Sequence, residues 1–160
     1  MATGERHLVK QTPRERFFNR TFGFLVRLGL APGYNRLLEV PGRKTGRIHT
    51  TPVNLLEMDG RRYLVASRGE TAWARNARAA GRVTLRRGAR SETFALRELA
   101  DAEKPPVLKE FLGRYPRQVQ RFYPVPKDAP VEAFRAIAPT QPVFELVAVS
   151  SAGQPSGAPP

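Results

Sequence analysis

The chain has 160 residues, a length that fits one domain with its own hydrophobic core. The absence of cysteine excludes disulfides, thiolate metal sites and cysteine nucleophiles, and the two histidines argue against a histidine-based zinc site. The formal net charge of +13 indicates attraction to phosphates, nucleic acid or anionic lipid, unless it reflects an arginine-rich proteome.

The first predicted element is an amphipathic helix over residues 12–28. Thr12 and Glu15 form a capping box around Pro13, and Gly29 ends the helix. Such a helix usually covers the core of its own domain, but with phenylalanines and arginines it can also lie on an anionic membrane. We assign residues 1–30 to this helix and the N-terminal segment that precedes it.

No apolar run is long enough to span a bilayer, and the N-terminus lacks the apolar core of a signal peptide. We therefore expect a cytoplasmic protein. If the first helix binds lipid, the protein would be peripheral at the inner face of the membrane.

Short strands joined by close turns dominate the rest of the chain. Asp59-Gly60 is a strong hairpin signal, and Pro52 places its strand at an edge or a bulge. A short helix follows the third strand, and helical regions begin again at Asp101. The predicted strands are 34–40, 48–58, 61–67, 82–87, 91–99 and 142–149, and the later helical regions are 70–80, 101–113, 114–123 and 130–138.

This order of elements predicts an α+β or mainly β fold, a small antiparallel β-barrel with covering helices. We assign the barrel to residues 31–149. Residues 150–160 are rich in serine, glycine and proline, and we expect them to form a disordered tail.

A basic turn bounded by glycines is the most informative feature of the sequence. Gly42-Arg43-Lys44-Thr45-Gly46 lies between two strands, and a second turn, Ala66-Ser67-Arg68-Gly69, precedes the helix of Trp73 and Asn76. Backbone N–H groups and guanidinium groups at such turns can hold an anion. The spacing is not that of a P-loop, and no nucleophile–base pair is visible. The pattern therefore favours a phosphate-bearing cofactor that supplies its own chemistry.

Together with Thr51-Pro52, these motifs and their spacing resemble the deazaflavin-dependent nitroreductase family. The likeness is close from about residue 37 to residue 99, looser to residue 149, and absent in the tail. It implies a split antiparallel β-barrel of the FMN-binding type. It also implies an F420H2-dependent reductase that transfers a hydride from the reduced coenzyme F420 to a quinone, an enone or a nitro-compound.

The resemblance further implies roles for individual residues. The basic turn would hold the phosphate and the acidic tail of F420, and the second turn would run along the deazaflavin. Tyr115 would belong to a lid over the substrate and is the candidate proton donor, with Asn54 and Tyr123 near the substrate. The implied cofactor-binding residues are Arg43, Lys44, Thr45, His49, Pro52, Ala66, Ser67, Arg68, Trp73 and Asn76.

Some residues depart from the family pattern or have a plainer interpretation. His49 stands where the family usually has arginine, so we expect cofactor binding to be weaker or pH-sensitive. Trp73 is alternatively a packing residue, His49 a strand-surface residue, and Tyr115 a cap on the barrel.

Three other functions stay open. They are FMN binding, a membrane-associated family member without reductase activity, and nucleic-acid binding. The last is suggested by charge alone and lacks interleaved surface aromatics.

Overall fold

A computed structural model of the protein describes residues 33–149. Seven strands form one antiparallel sheet in the order β2-β1-β5-β6-β7-β4-β3. The strands are β1 (Asn35–Pro41), β2 (Ile48–Asn54), β3 (Leu56–Met58), β4 (Arg61–Val65), β5 (Arg82–Arg87), β6 (Arg90–Glu98) and β7 (Val143–Ala148). The helices are α1 (Ala72–Ala80), α2 (Lys104–Arg114) and α3 (Pro116–Val119), with 3-10 turns at Asp101–Glu103, Gln120–Phe122, Val131–Arg135 and Ala138–Thr140.

The predicted N-terminal helix and C-terminal tail lie outside the described residues, and so does the lipid contact that the helix suggested. The domain boundaries that depend on these segments stay a prediction. Over residues 33–149, no helix has the length and apolar character needed to cross a membrane.

A single residue, Leu55, joins the two strands at opposite ends of the strand order. Strand β2 ends at Asn54 and pairs with β1, whereas β3 begins at Leu56 and pairs with β4. Consecutive residues are close in space, so the sheet must curl until its two outer strands meet. This geometry confirms the predicted split barrel.

The same junction shows that the prediction of one continuous strand over 48–58 is wrong. Leu55 is buried, and its backbone N–H donates to the carbonyl of Tyr34 at 2.8 Å. The chain therefore leaves one ladder at this residue and enters another. Residue pattern alone does not reveal the break, since both halves have strand-like composition.

The two faces of the curled sheet bury different clusters, as the alternation of side chains in strands requires. Leu38, Leu64, Leu85 and Phe94 belong to the cluster on the inner face. Helix α2 packs on the other face through a second cluster, which includes Tyr63, Val65, Val107, Leu108, Phe111, Leu112 and Val143.

Local signals in the sequence explain most of the element boundaries. Asp59 and Gly60 both have positive φ, at 52° and 74°, as the turn of a tight two-residue hairpin requires. Pro52 lies in the edge strand β2, which confirms that part of the prediction. Pro105 and Pro106 occupy the first turn of α2, where an N–H is not needed for the helix.

Candidate functional site

The basic turn is a closed loop between β1 and β2. The N–H of Gly42 donates to the carbonyl of Arg47 at 2.7 Å, and the N–H of Gly46 donates to the carbonyl of Gly42 at 2.9 Å. Gly46 has φ of 74°, a conformation that favours glycine. The three residues between the two glycines are exposed.

Gly42 also allows a close approach from the neighbouring strand. A Cβ at this position would lie 2.7 Å from Nε2 of His49, whose backbone pairs with Val40. The imidazole therefore lies directly against the start of the basic turn.

Helix α1 begins two residues later than the predicted 70–80 and ends at Ala80 as predicted, and it forms the second wall of the site. The hydroxyl of Thr71 accepts from the N–H of Ala74 at 3.3 Å, and Gly81 ends the helix in the left-handed conformation. The Trp73 and Phe144 ring centroids lie 6.0 Å apart, with Phe144 on β7 of the sheet. The indole therefore packs on the barrel and also reaches the site.

One side chain of α1 connects the helix to the basic turn. Asn76 is buried, and its Oδ1 accepts from the backbone N–H of Arg43 at 3.2 Å and from Nη1 of Arg43 at 2.8 Å. These two bonds hold together segments that are 33 residues apart in sequence. Asn76 therefore positions Arg43 and has its amide oxygen committed to that contact.

A cleft of about 810 Å³ lies between the basic turn, β2 and α1. We call it the basic cleft. Of the residues that the sequence implicated in cofactor binding, those that line it are Arg43, Lys44, Thr45, His49, Arg68, Trp73 and Asn76.

Four implicated residues do not line the basic cleft. Pro52 and Asn54 lie on β2, where they pair with Leu37 and Asn35. The side chain of Ala66 is buried beside Phe144, and its N–H donates to Pro142. Ser67 is half-buried in the turn that follows β4. Their roles in binding stay predictions.

Tyr115 and Tyr123 do not line the basic cleft either. Tyr115 is 3% exposed, and its hydroxyl donates to the carbonyl of Leu55 at 2.6 Å. Its ring packs against Tyr34 and Phe111, with centroids 4.8 Å and 5.1 Å away. Burial raises the pKa of both phenols, more strongly for Tyr123. In this structure Tyr115 caps the junction between β2 and β3, the alternative that its sequence context left open.

Sequence reasoning missed two arginines of the basic cleft, Arg47 and Arg75. Arg47 directly follows the basic turn, and Arg75 lies between Trp73 and Asn76 on α1. The Nε of Arg75 is buried and has no hydrogen-bond partner in the structure. A buried donor without a partner is costly, which suits a site that receives an acceptor from a ligand. The available signal was the positive charge of both residues, Arg47 next to the basic turn and Arg75 next to Asn76.

The charge of the basic cleft is strongly unbalanced. Arg43, Lys44, Arg47, Arg68 and Arg75 line it, and the lining contains one carboxylate, that of Glu70. Arg78 binds that carboxylate with bonds of 2.9 Å and 3.1 Å. Five cationic side chains against one carboxylate leave the cleft with excess positive charge, which suits an anion with several oxygen acceptors.

The described residues contain no group of three or more histidine, aspartate and glutamate side chains that could hold a metal ion. The donors that line the basic cleft are guanidinium, ammonium, hydroxyl and imidazole groups, which bind phosphate and carboxylate oxygens. The residues present therefore fit a phosphate-bearing cofactor with acidic groups.

Comparison with protein families gives one match. The model described as F420H(2)-dependent quinone reductase matches residues 8–131 of the chain. No curated protein matches the chain.

Several solved structures share the fold. An F420-H2 dependent reductase, FDR-A, is 23% identical over 71% of this chain and 94% of its own, with a TM-score of 0.50. A structure described as a domain-swapped dimer is 19% identical over 84% of this chain and 99% of its own, with a TM-score of 0.52. Atu2129 from Agrobacterium tumefaciens str. C58, a protein of unknown function, is 20% identical over 85% of this chain and 56% of its own, with a TM-score of 0.54.

Proposed function

The chain belongs to the F420H(2)-dependent quinone reductase family, and from this membership we propose that it binds coenzyme F420 in the basic cleft and reduces a small organic acceptor. The acceptor would be a quinone, with enones and nitro-compounds as further candidates. The observation that carries the proposal is the contact between Arg43 and Asn76, which assembles two distant motifs into one cationic cleft.

Each wall of the cleft has a distinct part in binding. Arg43, Lys44 and Arg47 would neutralise the phosphate and the acidic tail of F420, since guanidinium groups form paired bonds to such oxygens. Arg75 would donate its buried Nε to the same anionic part. Trp73 would cover an apolar stretch of the coenzyme and exclude water from it.

The reaction needs a hydride and a proton. The reduced deazaflavin supplies the hydride when it is bound, and the chain supplies position by holding cofactor and acceptor within contact distance. Tyr115 stays the predicted proton donor, but its hydroxyl donates to the Leu55 carbonyl. Proton transfer from Tyr115 would require that this bond open, and solvent is the alternative source.

A fluorescence titration with coenzyme F420, with FMN in parallel, tests the proposal. We expect saturable binding of F420 and much weaker binding of FMN. Reduced F420 should then be oxidised in the presence of a quinone and the protein. Absence of F420 binding would contradict the proposal. Tight binding of FMN alone would replace it with the FMN-binding alternative.

Replacing Asn76 by alanine should weaken F420 binding by about tenfold, although Asn76 need not touch the cofactor. The change removes the acceptor of the N–H and Nη1 of Arg43 and frees the basic turn from α1. Because Arg43 is exposed and water can replace this acceptor, the loss of stability should be about 0.5–1.5 kcal/mol, the usual net contribution of a hydrogen bond. Asn76→Asp keeps an acceptor at this position, so it should restore stability to urea but not full affinity, because its charge opposes the anion.

Gln118→Ala is a suitable control for Asn76→Ala, since Gln118 contacts the Tyr34 hydroxyl at 3.3 Å and does not line the cleft. Equal F420 affinity in Asn76→Ala and the wild type would show that Asn76 does not position Arg43 for binding.

A further inference from the structure

The aromatic ring of Phe122 lies beside Arg68, the arginine that the second turn contributes to the basic cleft. Cζ of Arg68 is 5.1 Å from the centroid of the Phe122 ring. A guanidinium at this distance over an aromatic face is attracted by the ring and stacks on it. Arg68 lines the basic cleft, whereas Phe122 does not. The ring therefore supports the guanidinium without forming part of the lining.

Phe122 has a fixed place in the fold. It ends the 3-10 turn Gln120–Phe122, and the N–H of the next residue, Tyr123, donates to the carbonyl of Gln120 at 3.0 Å. Tyr123 is 5% exposed and packs against Phe134, with ring centroids 6.4 Å apart. Phe122 itself is half-buried and packs against the cluster beneath helix α2. The ring is therefore presented by a backbone that is closed on itself and anchored in the core.

The second turn is held against the segment that leads into β7. The N–H of Ala66 donates to the carbonyl of Pro142 at 2.9 Å, and the N–H of Gly69 donates to the carbonyl of Ala66 at 3.0 Å. A Cβ at Gly69 would lie 3.4 Å from the carbonyl oxygen of Thr140, so the turn and this segment are in close contact. The backbone of Arg68 is thus fixed, but its long side chain must be ordered by contacts of its own.

From these contacts we infer that Phe122 is a positioning residue for the proposed cofactor, because its ring holds the guanidinium of Arg68 ready for an anionic oxygen of that ligand. The inference rests on the proposed function. Ordering a flexible arginine before the ligand arrives lowers the entropy cost of binding, so a stack outside the cleft can raise affinity. Other contacts of Arg68 act beside this one, and the ring contributes part of the order.

Nuclear magnetic resonance of the ligand-free protein tests the position of Arg68 directly. An aromatic ring shifts the signals of protons stacked on it, and Nε of Arg68 is buried, which slows exchange of its proton with water. Phe122→Leu removes the ring and should move the Nε–H signal toward that of unstructured arginine. Arg68→Lys lacks this group and identifies the signal. An Arg68 signal at the same position in Phe122→Leu and the wild type would overturn the inference.

The affinity for coenzyme F420, measured by fluorescence titration, tests the consequence for binding. We expect Phe122→Leu to weaken binding about fivefold, the effect of losing one cation–π contact, and Phe122→Tyr to stay within about twofold of the wild type because it keeps the ring. Arg68→Gln should also weaken binding, and Phe122→Leu should then add less than about twofold. An equal loss from Phe122→Leu with and without the Arg68 guanidinium would contradict the inference.

Two controls separate this role from core packing and from charge. Tyr34→Leu truncates another half-buried aromatic side chain that packs against the same cluster and does not line the basic cleft. Arg121→Gln removes an exposed cation whose Cζ lies 4.7 Å from the Phe122 ring centroid. Both should leave F420 affinity nearly unchanged. A loss in either control equal to that in Phe122→Leu would overturn the inference, because packing or charge would then be responsible.

The inference and the proposed function can fail separately. Absence of F420 binding to the wild-type protein contradicts the proposed function, and the resonance experiment then decides whether Phe122 positions Arg68. Binding of F420 with an unmoved Arg68 signal, or with additive losses, supports the proposed function and overturns the inference. Urea unfolding of each variant checks that it is folded.

Discussion

Replacing Arg43 and Lys44 together by alanine is expected to weaken binding of coenzyme F420 by about 100-fold or more, while the protein stays folded. Both side chains are exposed, line the basic cleft and lie between glycines in a turn closed by its own backbone bonds. Each hydrogen bond to a charged group contributes about 1.5–3 kcal/mol, so the loss of two gives at least two orders of magnitude. Fluorescence titration with F420 measures the effect.

The matched control for this variant is Arg117→Ala with Lys127→Ala. Both residues are exposed and neither lines the basic cleft. The control also removes two positive charges, so it separates direct contacts from the field of the whole protein. We expect it to change F420 affinity by less than threefold. Unchanged affinity in the Arg43 and Lys44 variant would remove these residues from the binding site.

Phe144→Ala should lower the free energy of unfolding by about 3–5 kcal/mol, the usual cost of truncating a buried phenylalanine. Phe144 is 1% exposed and packs with Ala66, Ala74 and Trp73, so its loss leaves a cavity between α1 and the sheet. Because Trp73 forms a wall of the basic cleft, the variant should also bind F420 more weakly. Urea unfolding measures the first effect and titration the second.

Phe144→Leu keeps much of the side-chain volume and should lower the free energy of unfolding by a smaller amount than alanine does. A loss below about 1 kcal/mol for Phe144→Ala, against the range typical of buried phenylalanines, would show that Phe144 does not join α1 to the barrel. If the Phe144→Ala variant retained full affinity for F420, the position of Trp73 would be unimportant for binding.

The features predicted from sequence are those with a local physical cause. The hairpin at Asp59 and Gly60 follows from their tolerance of positive φ. The edge position of β2 is consistent with Pro52. The Thr71 hydroxyl, a cap that the sequence analysis did not use, explains why α1 begins at Ala72 and not at residue 70. The basic turn was recognised because its charges and glycines are adjacent in the chain.

The features that escaped prediction depend on contacts between distant segments. Sequence analysis left Tyr115 open between a lid and a cap on the barrel, and the contacts that bury it, with Tyr34 and with Leu55 60 residues away, come from distant segments. The bond from Arg43 to Asn76 likewise joins separate elements.

The one-residue connection at Leu55 has a consequence for the behaviour of the protein at high concentration. An open sheet presents two bare outer strands, and each can recruit another molecule into a growing aggregate. Here the two outer strands are joined end to end by one residue, so the curl brings the two edges of the sheet together at Leu55, and Pro52 further limits pairing along β2. Within the described part of the chain, the curl that builds the basic cleft should also leave less of the sheet edge open to intermolecular strand addition than a flat sheet would.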